Sequence, residues 1–352
     1  MTFRLKAVLM CFAVLLGAST PVVVSLAGSP VSAGQLPLAN FRGPTGIATC
    51  GSRVWVTNAT GNSVTEFTAS NGGYARTISD GSTSPSEPMG IASDGTDLWV
   101  ANLSSDSVAE FDCGTGQQTR TIYVGDLNSP VAVAVGAGKV WIAGQAHRDD
   151  VAGNVITNTS SVTSYSARSG ALDHSVLGTN TNDLNGSSGV AVASGNVWVT
   201  NANGNSVTEL NATNGRVVRV IDARAGSFNW PMGVTSTGGD LWVENLYGNS
   251  LTEIKESTGA VMRIITGDGL NGPSALCVLG TRIWVTNLFG NSVTELNARD
   301  GSLVRIITAR SDGFSAPMGI SGAGSSLWVA NQWGDTVTEL TASSGALERI
   351  IH

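Results

Sequence analysis

Residues 283–307 read IWVTNLFGNSVTELNARDGSLVRII, and they contain most of one structural repeat. Alternation of apolar and polar residues in IWVTN and SVTEL is the two-residue period of half-buried strands. LVRII reads as a third strand. Gly290-Asn291-Ser292 and Asn297-x-x-x-Gly301 supply turn chemistry between them. Seven such units follow one another. Their tryptophans are Trp55, Trp99, Trp141, Trp198, Trp242, Trp284 and Trp328, spaced by 42 or 44 residues except for one step of 57. Eleven residues before each Trp stands Pro44, Pro88, Pro130, Ser187, Pro231, Pro273 or Pro317. The segment after it (Gly46-Ile47-Ala48 in the first repeat) completes a set of four strands. We name these strands A to D in chain order.

A period of this length means stacked supersecondary units. Four short antiparallel strands per unit describe a propeller blade, which buries both faces only between neighbours. The expected fold is therefore all-β, a seven-bladed β-propeller of four-stranded antiparallel blades. The sequence leaves open whether the ring closes by packing alone or whether residues 35–40 add an edge strand to the last blade.

One correlation supports the pairing of strands C and D. Glu66, Glu110, Glu209, Glu253, Glu295 and Glu339 each precede an Arg by ten residues: Arg76, Arg120, Arg219, Arg263, Arg305 and Arg349. Blade three has Ser164 and His174 at these places, so both partners change together. A cross-strand ion pair on the outer hairpin explains this, worth ~0.2–1 kcal/mol as an exposed pair.

Residues 1–33 read as a signal peptide: Arg4 and Lys6, an apolar stretch from Ala7, and small residues at Val31-Ser32-Ala33 before the expected cleavage. The propeller would then occupy residues 34–352, in a secreted or extracytoplasmic chain without a membrane span. Cleavage removes two positive charges and moves the formal charge from −7 to −9. An acidic chain with few lysines lacks the phosphate-neutralising footprint of a nucleic-acid binder. Cys50, Cys113 and Cys277 remain, an odd number, and all three read as buried small residues.

The P-x-G-I/V-A…W-V-x-N…S-V-T-E-L pattern over residues 37–351 resembles the NHL-repeat and YVTN-repeat propellers, and is similar to the repeats of the virginiamycin B lyase-like group. The resemblance implies the fold, and an activity that ranges from binding scaffolds and extracellular sensors to a few lyases and lactonases. The lyases it points to use His and Glu on one face for metal-assisted elimination. The mature chain offers only His147, His174 and His352. Lactonase-like propellers converge carboxylates and Asn near the axis, and carboxylates there are mostly missing.

Candidate sites lie on the face that carries the D-to-A and B-to-C loops, here called the top. Strand B ends there in Asn58, Asn102, Asn201, Asn245, Asn287 or Asn331, read as turn caps in preference to a ligand ring. Glu244 replaces the usual Thr or Ala two residues after the Trp, and is a candidate general base or metal ligand. Blade three carries an insertion in which His147, Asp149 and Asp150 are the metal candidates. The most informative asymmetry is aromatic. Tyr247, Phe289 and Trp333 stand five residues after the Trp of blades five to seven, where blades one, two and four have Thr60, Ser104 and Asn203. Trp230 and Phe314, together with Phe228, lie in the adjoining D-to-A loops. Exposed rings amid Asn, Ser and Gly suit stacking on sugars or anchoring a protein.

The preferred reading is an exported, monomeric binding or interaction propeller. It recognises an extracellular polysaccharide, cell-envelope component or protein through Trp230, Tyr247, Phe289, Phe314 and Trp333, with no cofactor. The alternative is a metal-dependent lyase or lactone hydrolase at the channel mouth, with Glu244 and His147 as its parts and a divalent metal as cofactor.

Overall fold

In a computed structural model, each repeat forms one sheet whose strands hydrogen-bond in the order A-B-C-D, giving seven four-stranded antiparallel blades. The described residues are 39–79, 85–123, 129–145, 148–149, 155–157, 160–179, 184–308 and 313–352, with only the backbone of 148–149 and 155–157. They belong to the compact unit Leu36–His352. The expected signal peptide lies outside them. Among the described residues, no helix is long and apolar enough to cross a membrane.

Blade one comprises Pro44–Cys50, Arg53–Asn58, Ser63–Thr68 and Tyr74–Ile78. Blade five comprises Pro231–Ser236, Asp240–Asn245, Ser250–Lys255 and Val261–Thr266. Blade six comprises Pro273–Leu279, Arg282–Asn287, Ser292–Asn297 and Leu303–Thr308. Within blade three's insertion, Arg148–Asp149 pairs with Val155–Thr157 as a small separate ribbon.

The seven repeat tryptophans are fully buried. Each packs against strands B and C of the next blade, as Trp55 does with Leu98, Val100 and Phe111. Trp328 meets Ile47, Val54, Val56 and Phe67 and so closes the ring. At about 200 Å² of ring surface each, this is on the order of 5 kcal/mol of gross burial per joint.

In every blade but the third, register places the Trp opposite the Glu of strand C, and that Glu opposite the Arg of strand D: Trp55, Glu66 and Arg76, for example. The carboxylates are not exposed. Glu66 is 0% exposed and Glu295 1%, with Arg76 Nε at 2.7 Å from Glu66. Burial pushes these carboxyls up, against the pull of their arginines. The pair is therefore a half-buried one, whose disruption strands a carboxylate and costs far more than the exposed-pair figure. Sequence spacing carries no burial information, and the low figure is corrected here. In blade three His174 stacks on Trp141 instead, with centroids 6.1 Å apart.

Each strand-D arginine also reaches the next blade. A Cβ on Gly116, which has φ +66°, would lie 2.7 Å from the Arg76 guanidinium, and one on Gly72 would lie 2.8 Å from Arg349 Cδ. The glycine of the C-to-D turn thus serves both the left-handed turn and the close approach of its neighbour's arginine. Arg349 against Gly72 joins blade seven to blade one.

A second ring of latches runs along the top. The turn residue Asn62 accepts from Glu87 N at 2.7 Å, Asp106 from Ser129 N, Asn205 from Trp230 N, Asn249 from Gly272 N, Asn291 from Ala316 N and Asp335 from Gly43 N. Ser160 does the same for Gly186 N in blade three. Closure of the ring is completed by Phe41 on Phe67 and by one backbone bond, Ala39 N to His352 O. Blade seven remains four-stranded.

Cys50 and Cys113 are buried, as expected, and form a disulfide between blades one and two, a pairing that the odd cysteine count left open. Cys50 ends strand A and Cys113 follows strand C of the next blade, and both arrive at the bottom of the same joint. Only the packing of neighbouring blades brings them together. At the corresponding place between blades four and five, Glu256 accepts from the hydroxyls of Ser194 and Ser236. Cys277 is free, and burial pushes its thiol up to about 12.

Candidate functional site

The top of every blade is built from two zipped loops. The residue before the strand-A Pro accepts a backbone bond from the fourth residue after the Trp, as Gly43 does from Ala59 and Trp230 from Leu246. This pre-Pro residue has positive φ throughout: Gly43, Glu87, Ser129, Gly186, Trp230, Gly272 and Ala316. In blades one, four and six the side chain five residues after the Trp settles over it. Thr60 covers Gly43, Asn203 covers Gly186 and Phe289 covers Gly272. In blade two Ser104 Oγ donates to Glu87 Oε2 at 2.6 Å. The fold therefore offers a ring of equivalent two-residue stations, and the sequence fills them differently on the two sides.

On blades five to seven the stations are aromatic. Trp230 and Tyr247 are in contact, with centroids 5.4 Å apart at 57°. Tyr247 and Phe289 are near-parallel, 6.3 Å apart, across the joint between blades five and six. Tyr247 is 37% exposed, Phe289 48% and Trp333 61%. Trp230 is buried with φ +62°. A bulky residue in this region costs on the order of 1–2 kcal/mol, where glycine serves three other blades without strain. The indole is kept at that cost, and what it touches is the ring of Tyr247. Phe228 and Phe314 are buried between blades, with Trp198 and Leu241 and with Trp284 and Leu327. They support the loops and present no surface.

The structure thus brings Trp230, Tyr247 and Phe289 into one contiguous aromatic group. Trp333 stands one blade further on as an exposed ring, and Phe314 lies beneath the surface. The strained backbone of Trp230 has a signal in the sequence: Gly at the same place in blades one, four and six.

The strand-B asparagines are buried, and their amide N–H groups donate within their own hairpins. Asn58 donates to Ser63 Oγ and Thr65 Oγ1, and Asn245 to Ser250 Oγ and Thr252 Oγ1. Glu244 is 0% exposed, pushed up to about 8 by burial. The N–H groups of Glu244 and Gly233 point toward its carboxyl, but neither oxygen completes a hydrogen bond. In blades one and four its place is taken by Thr57 and Thr200, which donate to Met89 O and Met232 O of the next blade.

His147 and Asp150 lie outside the described residues, as does the side chain of Asp149. Among the described residues, no three His, Cys, Asp or Glu side chains are grouped so as to hold a metal. Ser164, His174 and Asp173 of blade three do not form a proton relay. Both the Ser164 hydroxyl and the Asp173 carboxylate approach the same ring nitrogen, Nδ1, and Ser164 is fully buried.

No family model and no curated protein matches the sequence. Solved structures do match in fold. A streptogramin B lyase aligns at 19% identity and TM-score 0.67, covering 83% of this chain and 92% of its own. Virginiamycin B lyase from Staphylococcus aureus aligns at 17% and 0.69, covering 86% and 97%. Hydrazine synthase of Kuenenia stuttgartiensis aligns at 17% and 0.67, covering 90% and 99%. The chain shares the β-propeller architecture of these proteins, and at these identities the likeness is one of fold.

Proposed function

We propose that this propeller is an exported binding module that holds an extracellular polysaccharide, another cell-envelope component or a protein against the top of blades five to seven. The observation that carries the reading is the exposed Tyr247–Phe289 pair, backed by a tryptophan held in a strained conformation. Flat, half-exposed rings bordered by Asn, Ser and Gly stack well on the apolar faces of sugars, so a polysaccharide is the favoured ligand. Export is supported by the basic, apolar and small-residue order of residues 1–33, and by the Cys50–Cys113 bridge, which suits an oxidising compartment.

The test is binding of the purified chain to peptidoglycan, chitin, cellulose and xylan, with and without divalent ions. Binding independent of metal, and lost in the Tyr247→Ala/Phe289→Ala/Trp333→Ala variant while the fold melts normally, supports the reading. Binding that survives the triple change overturns it.

A second reading, a metal-dependent lyase or lactone hydrolase, rests on Glu244 as a carboxyl that stays protonated near neutral pH. It requires substrate to reach a carboxyl enclosed in the joint between blades five and six. A metal-induced rise in melting temperature that Glu244→Gln abolishes would favour it.

A further inference from the structure

The joint between blades five and six differs from its neighbours where strand A meets the next blade. In four joints a glycine lies flat against the adjoining backbone. A Cβ on Gly46, Gly90, Gly189 or Gly319 would meet Met89 O, Val131 O, Met232 O or Thr45 O at 2.3–2.7 Å. At Gly233 the same notch is filled by the Glu244 carboxyl, 2.3 Å from the added atom. The carboxyl stands where threonine tethers one blade to the next in blades one and four, and Tyr247 and Phe289 meet above the same joint.

We propose that Glu244 is the positioning residue of the aromatic site: as a neutral carboxylic acid it fills the notch between blades five and six where threonine stands elsewhere, and loss of its proton puts an uncompensated charge there, loosens the joint and separates Tyr247 from Phe289. Two unpartnered carboxylate oxygens in a closed joint favour the protonated form, because a buried charge without a partner is costly. Burial accordingly pushes the group up to about 8. The titratable side chains on the strands around it do not compensate its charge. Asp240 is paired with Lys255, Glu253 with Arg263 and Arg282 with Glu295. Cys277 is held neutral by burial.

The proposal rests on the binding reading for its consequence, but not for its test. Infrared difference spectra of the chain against Glu244→Gln, between pH 6 and pH 9.5, should show one protonated-carboxyl band that titrates near pH 8 and is missing from the variant. Over the same range, Trp230 emission should change in the wild type and stay flat in Glu244→Thr, which gains no charge at any pH. Peptidoglycan binding by the wild type should weaken by tenfold or more across that midpoint, while binding by Glu244→Thr stays level. If the band is absent at pH 6, or Trp230 emission titrates identically in both proteins, the brace is wrong even if peptidoglycan binds. If both spectroscopic signals titrate as expected but none of the four polysaccharides binds at any pH, the brace stands and the polysaccharide reading fails.

Discussion

Arg349→Met tests the reasoning about the blade joints most stringently, because Arg349 serves two interfaces. It pairs with Glu339 in its own blade, and it lies against Gly72 of blade one where the ring closes. Methionine keeps the stem that packs on the turn and removes the charge. Glu339 is 2% exposed, so it loses its counter-charge in a place water does not reach. Stranding a fully buried carboxylate costs ~3–5 kcal/mol; Arg349 is 32% exposed, so solvent already weakens the pair and about 2–3 kcal/mol is expected near neutrality. For a domain of this size that is a fall in Tm of roughly 4–6 °C. The loss should shrink toward pH 5. Burial already pushes Glu339 above the usual carboxylate range, and without arginine it takes up a proton more readily still. Scanning calorimetry at pH 7.5 and pH 5, with the exposed Arg216→Met as control, reads both quantities. A shift under about 1 °C at pH 7.5, or equal shifts at the two pH values, would refute the buried-pair account. The pair Glu339→Ser/Arg349→His, copied from blade three, should cost less than Arg349→Met alone.

Other expectations follow from the same physics. The six strand-C glutamates and Glu244 are all raised, so between pH 4.5 and their folded values the native state holds protons that the unfolded chain has released. Stability should therefore fall as pH rises through that window, with the highest Tm on the acid side of neutrality in a melting series. For Glu244, a rise from 4.5 to about 8 corresponds to about 3 kcal/mol lost at pH 7, at ~1.4 kcal/mol per pH unit. Glu244→Thr should recover up to that amount at pH 7, less any packing given up, and almost none at pH 4.5. Reducing Cys50–Cys113, which spans 63 residues, should cost ~4 kcal/mol in the chain-entropy picture, seen as a Tm drop that Cys50→Ser/Cys113→Ser no longer shows on adding reductant.

The blades were legible because each repeat states its own strands. The tryptophan period, the Pro, Gly-Asn-Ser and Asn-x-x-x-Gly each mark a boundary by local chemistry, and those local rules are all that four antiparallel strands need. The Glu–Arg spacing revealed the C–D register for the same reason. What the spacing could not convey was anything between blades. Asn62 reads as a turn residue, and only in the ring does its side chain meet Glu87 N. Cys50 and Cys113 are unrelated in sequence until blade two packs on blade one. At the candidate site the aromatic bias of blades five to seven was visible position by position. Which rings face water was not: Phe228 and Phe314 share the loops of Trp230 and Ala316 but turn inward between blades. The insertion with His147, Asp149 and Asp150 broke the repeat, and without a repeat to anchor it the sequence offered residue types but no geometry.

The most direct test of the central claim is a side-by-side titration of wild type and the Tyr247→Ala/Phe289→Ala/Trp333→Ala variant against soluble peptidoglycan fragments, chitin oligosaccharides and xylan oligosaccharides at pH 6.5. We expect at least one of them to bind the wild type without added metal, and the variant, which still unfolds cooperatively because the tryptophan-packed blade joints are untouched, to show a loss of tenfold or more. Equal affinity in the two proteins would contradict the account, because the ligand would then sit elsewhere on the propeller.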